Sequence, residues 1–154
     1  ALAHAGISNH VAIKLRKTSS DELNEDNFEE RLEGVQGICV PGGFGGRGIE
    51  GKVLAARYAR ERKLPYLGLC YGLHMAVIEF ARNVCSLDGA NSTEIDDQTP
   101  HPVIALLDEQ MNVVEKGGTM RLGTQPCQLG PGHAADAYGE DIIHERHRHR
   151  WVPR

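Results

Sequence analysis

No run of about eighteen apolar residues occurs in this 154-residue sequence, so no segment reads as a membrane-spanning helix. No signal-peptide pattern is legible. An excess of basic charge is also lacking. The formal net charge is -4, which argues against a surface built to coat nucleic acid or an anionic membrane. The four cysteines, Cys39, Cys70, Cys85 and Cys127, form no C-x-x-C pair and fit no common zinc spacing. A reduced, cytoplasmic protein is the simplest reading. An initiator methionine is missing. The opening ALAHAG reads as the last turn of a helix closed by Gly6, and the chain stops at WVPR without a closing element. The expectation is a piece of a longer protein, truncated at both ends.

What is present is an ordinary globular composition. Apolar residues make up 40% and charged residues 25%, enough for one domain with its own core. VAIKL (11–15) alternates like a strand, and SSDELNEDNFEERLEGV carries a helix with Gly34 as its stop. VQGICV (35–40) and the uncharged PYLGL (65–69) read as strands, the second of the buried type. Between them, residues 49–63 read as a helix with Ile49, Val53, Ala56 and Ala59 on one face. A second helix follows over 71–84, with an apolar stripe of Leu73, Val77 and Phe80 or Ala81. Strand and helix in alternation imply βαβ units, a parallel sheet, and chemistry at the carboxyl ends of the strands. PVIALL (102–107) and IIHERHRHRW (142–151) are further strand candidates.

Two loops sit at those strand ends. The first, PGGFGGRGIEGKV, matches G-x-G-x-x-G through Gly43, Gly45 and Gly48. A dinucleotide site would want an acid after the next strand, but that strand ends in Gly68, Leu69 and Cys70. A P-loop would want Ser or Thr where Val53 stands. Both nucleotide readings fail at a functional position. A tight packing turn and a loop whose bare N–H groups approach a substrate or oxyanion remain.

The second loop is GLCYGLH (68–74). G-x-C-x-G between a strand and a helix has the logic of a nucleophile elbow with sulfur as the attacking atom. The glycines relieve crowding, and the helix dipole favours the thiolate. Cys70 is therefore the candidate nucleophile, whereas Cys39, Cys85 and Cys127 read as small apolar filling. His74 has three readings: general base, substrate contact, or packing residue. A base must reach the sulfur and be oriented by a third group, and bases commonly lie far from the nucleophile in sequence. A strand would place Arg146, Arg148 and Arg150 on one face and His147 and His149 on the other. A basic edge is one reading; zinc at His144, His147 and His149 lacks an evident fourth ligand.

PGGFGGRGIEGK, GLCYGL, ANSTE (90–94), GGTMRLG (117–123) and ERHRHRW (145–151) together resemble the glutamine amidotransferase domain of the CTP synthase family. The resemblance covers nearly the whole chain. It implies a flavodoxin-like three-layer α/β sandwich with a mostly parallel sheet. It implies that Cys70 attacks the side-chain amide of L-glutamine, forms a thioester and releases ammonia for the ATP-dependent amination of UTP to CTP. Gly43 and the N–H of Tyr71 would form the oxyanion site. Tyr71, Gly72, Leu73 and His74 would line the glutamine pocket, Glu94 would bind the substrate ammonium, and Arg150 its carboxylate. The resemblance implies no cofactor or metal in this domain; ATP and Mg would belong to a separate synthetase domain of the same polypeptide, and the family forms tetramers. Another amidotransferase, a thiol hydrolase, or a non-catalytic glutamine-binding module are the alternatives.

Two positions depart from the family, which usually has leucine where Tyr71 stands and glutamine where His74 stands. A histidine can be charged and cannot copy an amide's paired donor and acceptor. That bears on glutamine affinity and its pH dependence. The family's catalytic histidine and glutamate lie in an H-P-E type segment near the domain's C-terminus, and no H-x-E occurs here. Residues 1–154 alone are expected to hydrolyse glutamine negligibly and to be marginally stable.

Overall fold

The computed structural model describes residues 1–106 and 121–154. Residues 117–120 of GGTMRLG and Leu107 of the PVIALL run fall outside the described residues. Helix α1 (Leu2–Ser8) opens the chain, and it runs through Gly6 instead of ending there. A 3-10 turn (Ser20–Glu22) and the short α2 (Phe28–Leu32) follow. They are the only helical parts of residues 19–35, and Gly34 takes the left-handed φ of +75° just beyond. Asn24 and Asn27 explain the interruption. The Asn27 Oδ1 accepts from the Asn24 N–H at 3.0 Å, and the Asn24 Oδ1 accepts from the Asp26 N–H at 3.0 Å. These local side-chain bonds compete with the helix ladder.

The central unit follows the expected order: β1 (Ile38–Val40), α3 (Ile49–Glu61), β2 (Tyr66–Gly68) and α4 (Tyr71–Asn83). β1 and β2 pair in parallel, Val40 opposite Gly68. Then come β3 (Asn91–Ser92), β4 (Pro102–Leu106), β5 (Arg121–Gln128), α5 (His133–Tyr138), β6 (Ile142–His149) and β7 (Trp151–Pro153). β3 pairs with β4 in parallel, and β7 joins the far side of β4 antiparallel. β5 and β6 form a separate antiparallel ribbon. Arg146 and Arg148 are exposed and His147 and His149 half-buried, as strand alternation expects, but the strand ends at His149 and Arg150, half-buried at the bend beyond it, departs from the face expected for all three arginines.

Four expectations need correction. VAIKL (11–15) forms no strand and is exposed throughout. Period-two alternation describes one side of a strand, but a strand also needs a partner ladder, and none of the described residues pairs with this run. β2 is not of the buried type: Leu67 is 49% exposed and Leu69 48%. On α4 the apolar stripe is rotated. Leu73 and Phe80 are exposed, and the buried face is Tyr71, His74, Met75, Ile78 and Ala81. The elbow fixes where the helix starts, so the helix phase follows the Tyr71 ring rather than the leucine. Cys39 and Cys85 are also exposed, not filling.

α3 serves two cores. Leu54, Ala55 and Tyr58 pack with Leu23, Phe28, Leu32 and Val40. Ile49 and Val53 pack with Tyr71, Met75, Ile78 and Ile104. Across the α3–α4 contact, the Arg60 guanidinium grips the buried Glu79 carboxylate, with Nε at 3.0 Å from both oxygens and Nη2 at 2.8 Å from Oε1. Asn83 Nδ2 adds a third donor at 3.1 Å. The Glu79 side chain is 3% exposed and that of Arg60 is 34%. Removing the arginine therefore strands a buried charge. Arg60→Ala is expected to cost about 2 kcal/mol in chemical denaturation, below the range for fully buried pairs because water reaches Arg60. Arg62→Ala, which removes an exposed pair with Glu29 and a contact over the Tyr58 ring but strands no buried charge, is expected to cost less, about 1 kcal/mol.

Candidate active site

Cys70 stands at the junction of β2 and α4 with φ 53° and ψ -105°. A non-glycine residue at positive φ is uncommon, and outside the left-handed helical well it is strained. The flanking glycines make that junction possible. A Cβ at Gly68 would lie 2.6 Å from the Gly72 carbonyl carbon and 2.7 Å from the Leu73 N. A Cβ at Gly72 would run into the Val40 carbonyl oxygen and sit 3.0 Å from the Val40 Cβ. Strand, elbow and helix thus touch backbone to backbone. Tyr66 secures them further, its hydroxyl donating to the Gly72 carbonyl at 2.8 Å. The result is an exposed thiol held at the N-terminus of a 13-residue helix.

The glycine-rich loop lies beside the elbow. A Cβ at Gly42 would be 3.4 Å from the Cys70 Cβ and 4.0 Å from its Sγ. Gly43 faces the Tyr71 ring, with 3.7 Å between a Cβ placed there and Cδ1. The N–H groups of Gly72, Leu73 and His74 are taken by the Leu69 and Cys70 carbonyls. Those of Gly43 and Tyr71 donate to no backbone carbonyl among the described residues. One of these N–H groups lies on the loop beside the elbow and the other on the residue after Cys70, which makes them candidate donors to an oxyanion.

Glu94 reaches the same place from the turn after β3. Its N–H donates to the Ser92 Oγ at 3.1 Å. Burial raises its carboxyl pKa above the ordinary value, and the Gly45 N–H, aimed at the carboxylate, offsets part of that rise. Glu94 also acts on Tyr71, whose phenol is pushed up to about 12 by burial first and by this negative charge second.

His74 is buried under Tyr71, the two rings meeting edge-on at 6.0 Å. Its Nδ1 is buried and without a hydrogen-bond partner among the described residues. No hydrogen bond joins the ring to Cys70 among those residues, so the base reading gains no support. Burial lowers its pKa, and repulsion from His149 lowers it further. Both effects favour the neutral ring. This brings the end of β6 to the elbow. His149 shares a 3.2 Å Nδ1 to Nδ1 contact with His147, and Arg150 follows at the half-buried bend before β7. Leu73 is half exposed on the outer side of α4, and Gly72 lies against Val40.

Gly43, Cys70, Tyr71, His74 and Glu94 are thus brought together, whereas Arg150 makes no described contact with them. Sequence patterns point to neither Lys52 nor Gly45 here, yet both lie against residues of this cluster. The Lys52 Nζ lies 5.8 Å over the Tyr71 ring. The Gly-Lys pair inside the failed P-loop match was the one signal for it. Among the described residues, no group of three or more His, Cys, Asp or Glu is arranged to hold a metal ion. No helix among them is long and apolar enough to cross a membrane.

A family model described as glutamine amidotransferase class-I matches residues 1–153. A CTP synthase from Thermomicrobium roseum is 64% identical over 152 residues, covering 98% of this chain and 27% of that protein. A CTP synthase from Pyrococcus abyssi is 52% identical, covering 98% of this chain and 28% of that protein. The chain therefore spans little more than a quarter of the length of these relatives. Among solved structures, the glutaminase domain of Trypanosoma brucei CTPS with bound acivicin superposes with a TM-score of 0.89 at 36% identity. That match covers 97% of this chain and 58% of the solved one, and the fold is the flavodoxin-like α/β class expected.

Proposed function

Because the chain belongs to the class-I glutamine amidotransferases, we propose that its site hydrolyses L-glutamine and that the ammonia released feeds CTP formation in a longer CTP synthase polypeptide. The observation that carries this reading is the strained Cys70 at φ 53° between Gly68 and Gly72, beside two unoccupied N–H donors. The Cys70 Sγ attacks the glutamine carboxamide carbon. The oxygen, gaining charge, turns to the Gly43 and Tyr71 N–H groups. Collapse of that tetrahedral species expels the amide nitrogen as ammonia and leaves a glutamyl thioester, which water then cleaves. Glu94 holds the substrate ammonium and Arg150 its carboxylate. His74 contacts the substrate and does not act as base. The proton transfers are assigned to none of the described residues. In the longer polypeptide the amination of UTP uses ATP and Mg at a separate synthetase domain. A cytoplasmic tetramer is part of the same reading.

An electrophilic glutamine analogue tests it directly. Cys39, Cys70 and Cys85 are all exposed, so exposure alone predicts labelling of all three. The expected result is an adduct on Cys70 alone, mapped by peptide mass spectrometry and blocked by excess L-glutamine. Labelling of Cys39 and Cys85 to the same extent overturns the reading.

Glu94 gives a pH signature. Its carboxyl is held above the ordinary value of 4.5 by burial, so it protonates earlier than a surface acid as pH falls. Ammonium binding is present above that pKa and lost below it. The KM for glutamine is expected to rise about tenfold per pH unit on the acid side, as one proton is taken up. Glu94→Gln should raise KM at neutral pH and flatten that dependence. An unchanged acid limb in the variant removes Glu94 from the ammonium site.

A further inference from the structure

The geometry points to Tyr71 and Lys52 as positioning residues that brace the glycine-rich loop against the elbow, so that the two oxyanion donors, Gly43 and Tyr71, are held at a fixed spacing. The inference rests on the glutaminase reading and concerns how that site is kept in register.

Three observations converge. First, the Tyr71 hydroxyl donates to the Gly45 carbonyl at 2.6 Å. The same glycine aims its N–H at Glu94, and it holds φ +74° with nothing within 4 Å of a Cβ placed on it. Packing does not hold Gly45; these polar contacts at its two faces do. Second, the Lys52 Nζ donates to the Arg47 carbonyl at 2.7 Å and to the Gly48 carbonyl at 3.2 Å. It thereby ties the far end of the loop to the first turn of α3. Third, the same ammonium lies over the Tyr71 ring at 5.8 Å, which joins the two anchors by a cation–π contact. The Arg47–Asp21 pair at 2.6 Å adds a surface tether, with Arg47 88% exposed, and contributes little.

The consequence is geometric. Tyr71 offers its backbone N–H at the elbow, where the oxyanion forms. Its side chain, reaching across to Gly45, fixes the loop that carries the second oxyanion donor, Gly43. One residue therefore links both donors. A loop of five glycines without these bonds would sample many conformers, and the Gly43 N–H would meet the oxyanion in only a fraction of them. Glu94 has its own support from Ser92, so substrate capture depends less on the brace than the chemical step does. Leucine at this position, the residue the resemblance leads one to expect, supplies neither the hydrogen bond nor the ring face. A loop built around it must be held in another way.

Tyr71→Phe and Lys52→Met in the full-length polypeptide test this. Steady-state glutamine hydrolysis is expected to lose about tenfold in kcat for each, short of the 100- to 1000-fold typical when an oxyanion donor is removed outright. KM should change less than about twofold. Lys52→Arg, which can still donate to both carbonyls, should retain most of kcat. Amide exchange at Gly45 should accelerate about tenfold in Tyr71→Phe while the core amides of α4 stay protected. If Tyr71→Phe unfolds the protein, Lys52→Met carries the test alone, since the hydrogen bonds of its ammonium go to loop carbonyls, with Asp21 a nearby charge. A kcat within about twofold of the parent in both variants, or a rise in KM with kcat unchanged, overturns the brace. Cys70→Ala, run alongside, separates the two levels. If it still hydrolyses glutamine, the glutaminase reading fails. If it is inactive and both brace variants are fully active, only the brace fails.

Discussion

On the proposed reading, Cys70→Ala in a full-length polypeptide is expected to abolish glutamine-dependent CTP formation and to leave the reaction with free ammonia in place. The expected loss in glutamine-supported kcat is about 10^6-fold, the scale seen when a covalent nucleophile is deleted from a site that acts as a unit. The magnitude follows from the elbow. Alanine keeps the N–H donors and the substrate contacts but removes the only atom that can form the thioester. No other cysteine substitutes, since Cys39, one residue before the end of β1, projects from a different strand. The ammonia arm is the discriminating half of the experiment. Ammonia bypasses the thiol and enters at the amination step, so it reports on whether the rest of the protein still folds and turns over. Loss of both activities counts against Cys70 as the nucleophile. So does survival of the glutamine arm.

Gly72→Ala carries the next largest effect, and it acts through backbone contact. The added methyl meets the Val40 carbonyl oxygen and lies 2.9 Å from its carbonyl carbon. Both belong to β1, whose Val40 is itself buried. A flexible side chain would rotate away, but a strand carbonyl cannot. Val40 O also accepts the Leu69 N–H at 2.9 Å, and that bond would be strained with it. The expected cost is about 3 kcal/mol, the upper part of the overpacking range. Glutamine hydrolysis should fall with it, because the methyl lifts the start of α4 off β1 and turns Cys70 from the loop donors. Gly46→Ala provides the contrast. Nothing lies within 4 Å of a Cβ there, and its φ is not positive. That substitution should cost less than about 0.5 kcal/mol. Equal denaturation midpoints for the two variants would contradict the contact.

The difference between these glycines marks how far sequence reading reaches. G-x-C-x-G, together with a β-rich run before it and a helical pattern after it, is a local signal, and the elbow appears where that signal places it. The face of α3 was legible for the same reason, since Ile49, Val53, Ala56 and Ala59 recur at helical spacing and all are buried. VAIKL misleads because alternation says nothing of whether a neighbouring strand is there to pair. The face of α4 was misread because Tyr71 and His74 are buried polar rings, which a hydrophobic stripe passes over. The Tyr71–Gly45–Glu94 arrangement spans loops far apart in sequence, and Lys52 is buried enough to lower its pKa despite the nearby Asp21. No local pattern encodes such a meeting. The resemblance to the family supplied Glu94 and Arg150; periodicity alone would have left both as surface charges.

The pairing of β4 with β7 bears on how the chain acquires its shape during synthesis. Ile104 is wholly buried, and its ladder partner is Pro153. β1, α3, β2 and α4 contact one another over short sequence separations and can assemble soon after they leave the ribosome. β4 cannot gain its second neighbour until nearly fifty further residues have been made. Through that interval an apolar strand edge faces the cell, the condition under which nascent chains are captured by chaperones or by one another. The slow phase in refolding should therefore belong to closure of β7 onto β4, with the cysteine elbow already formed.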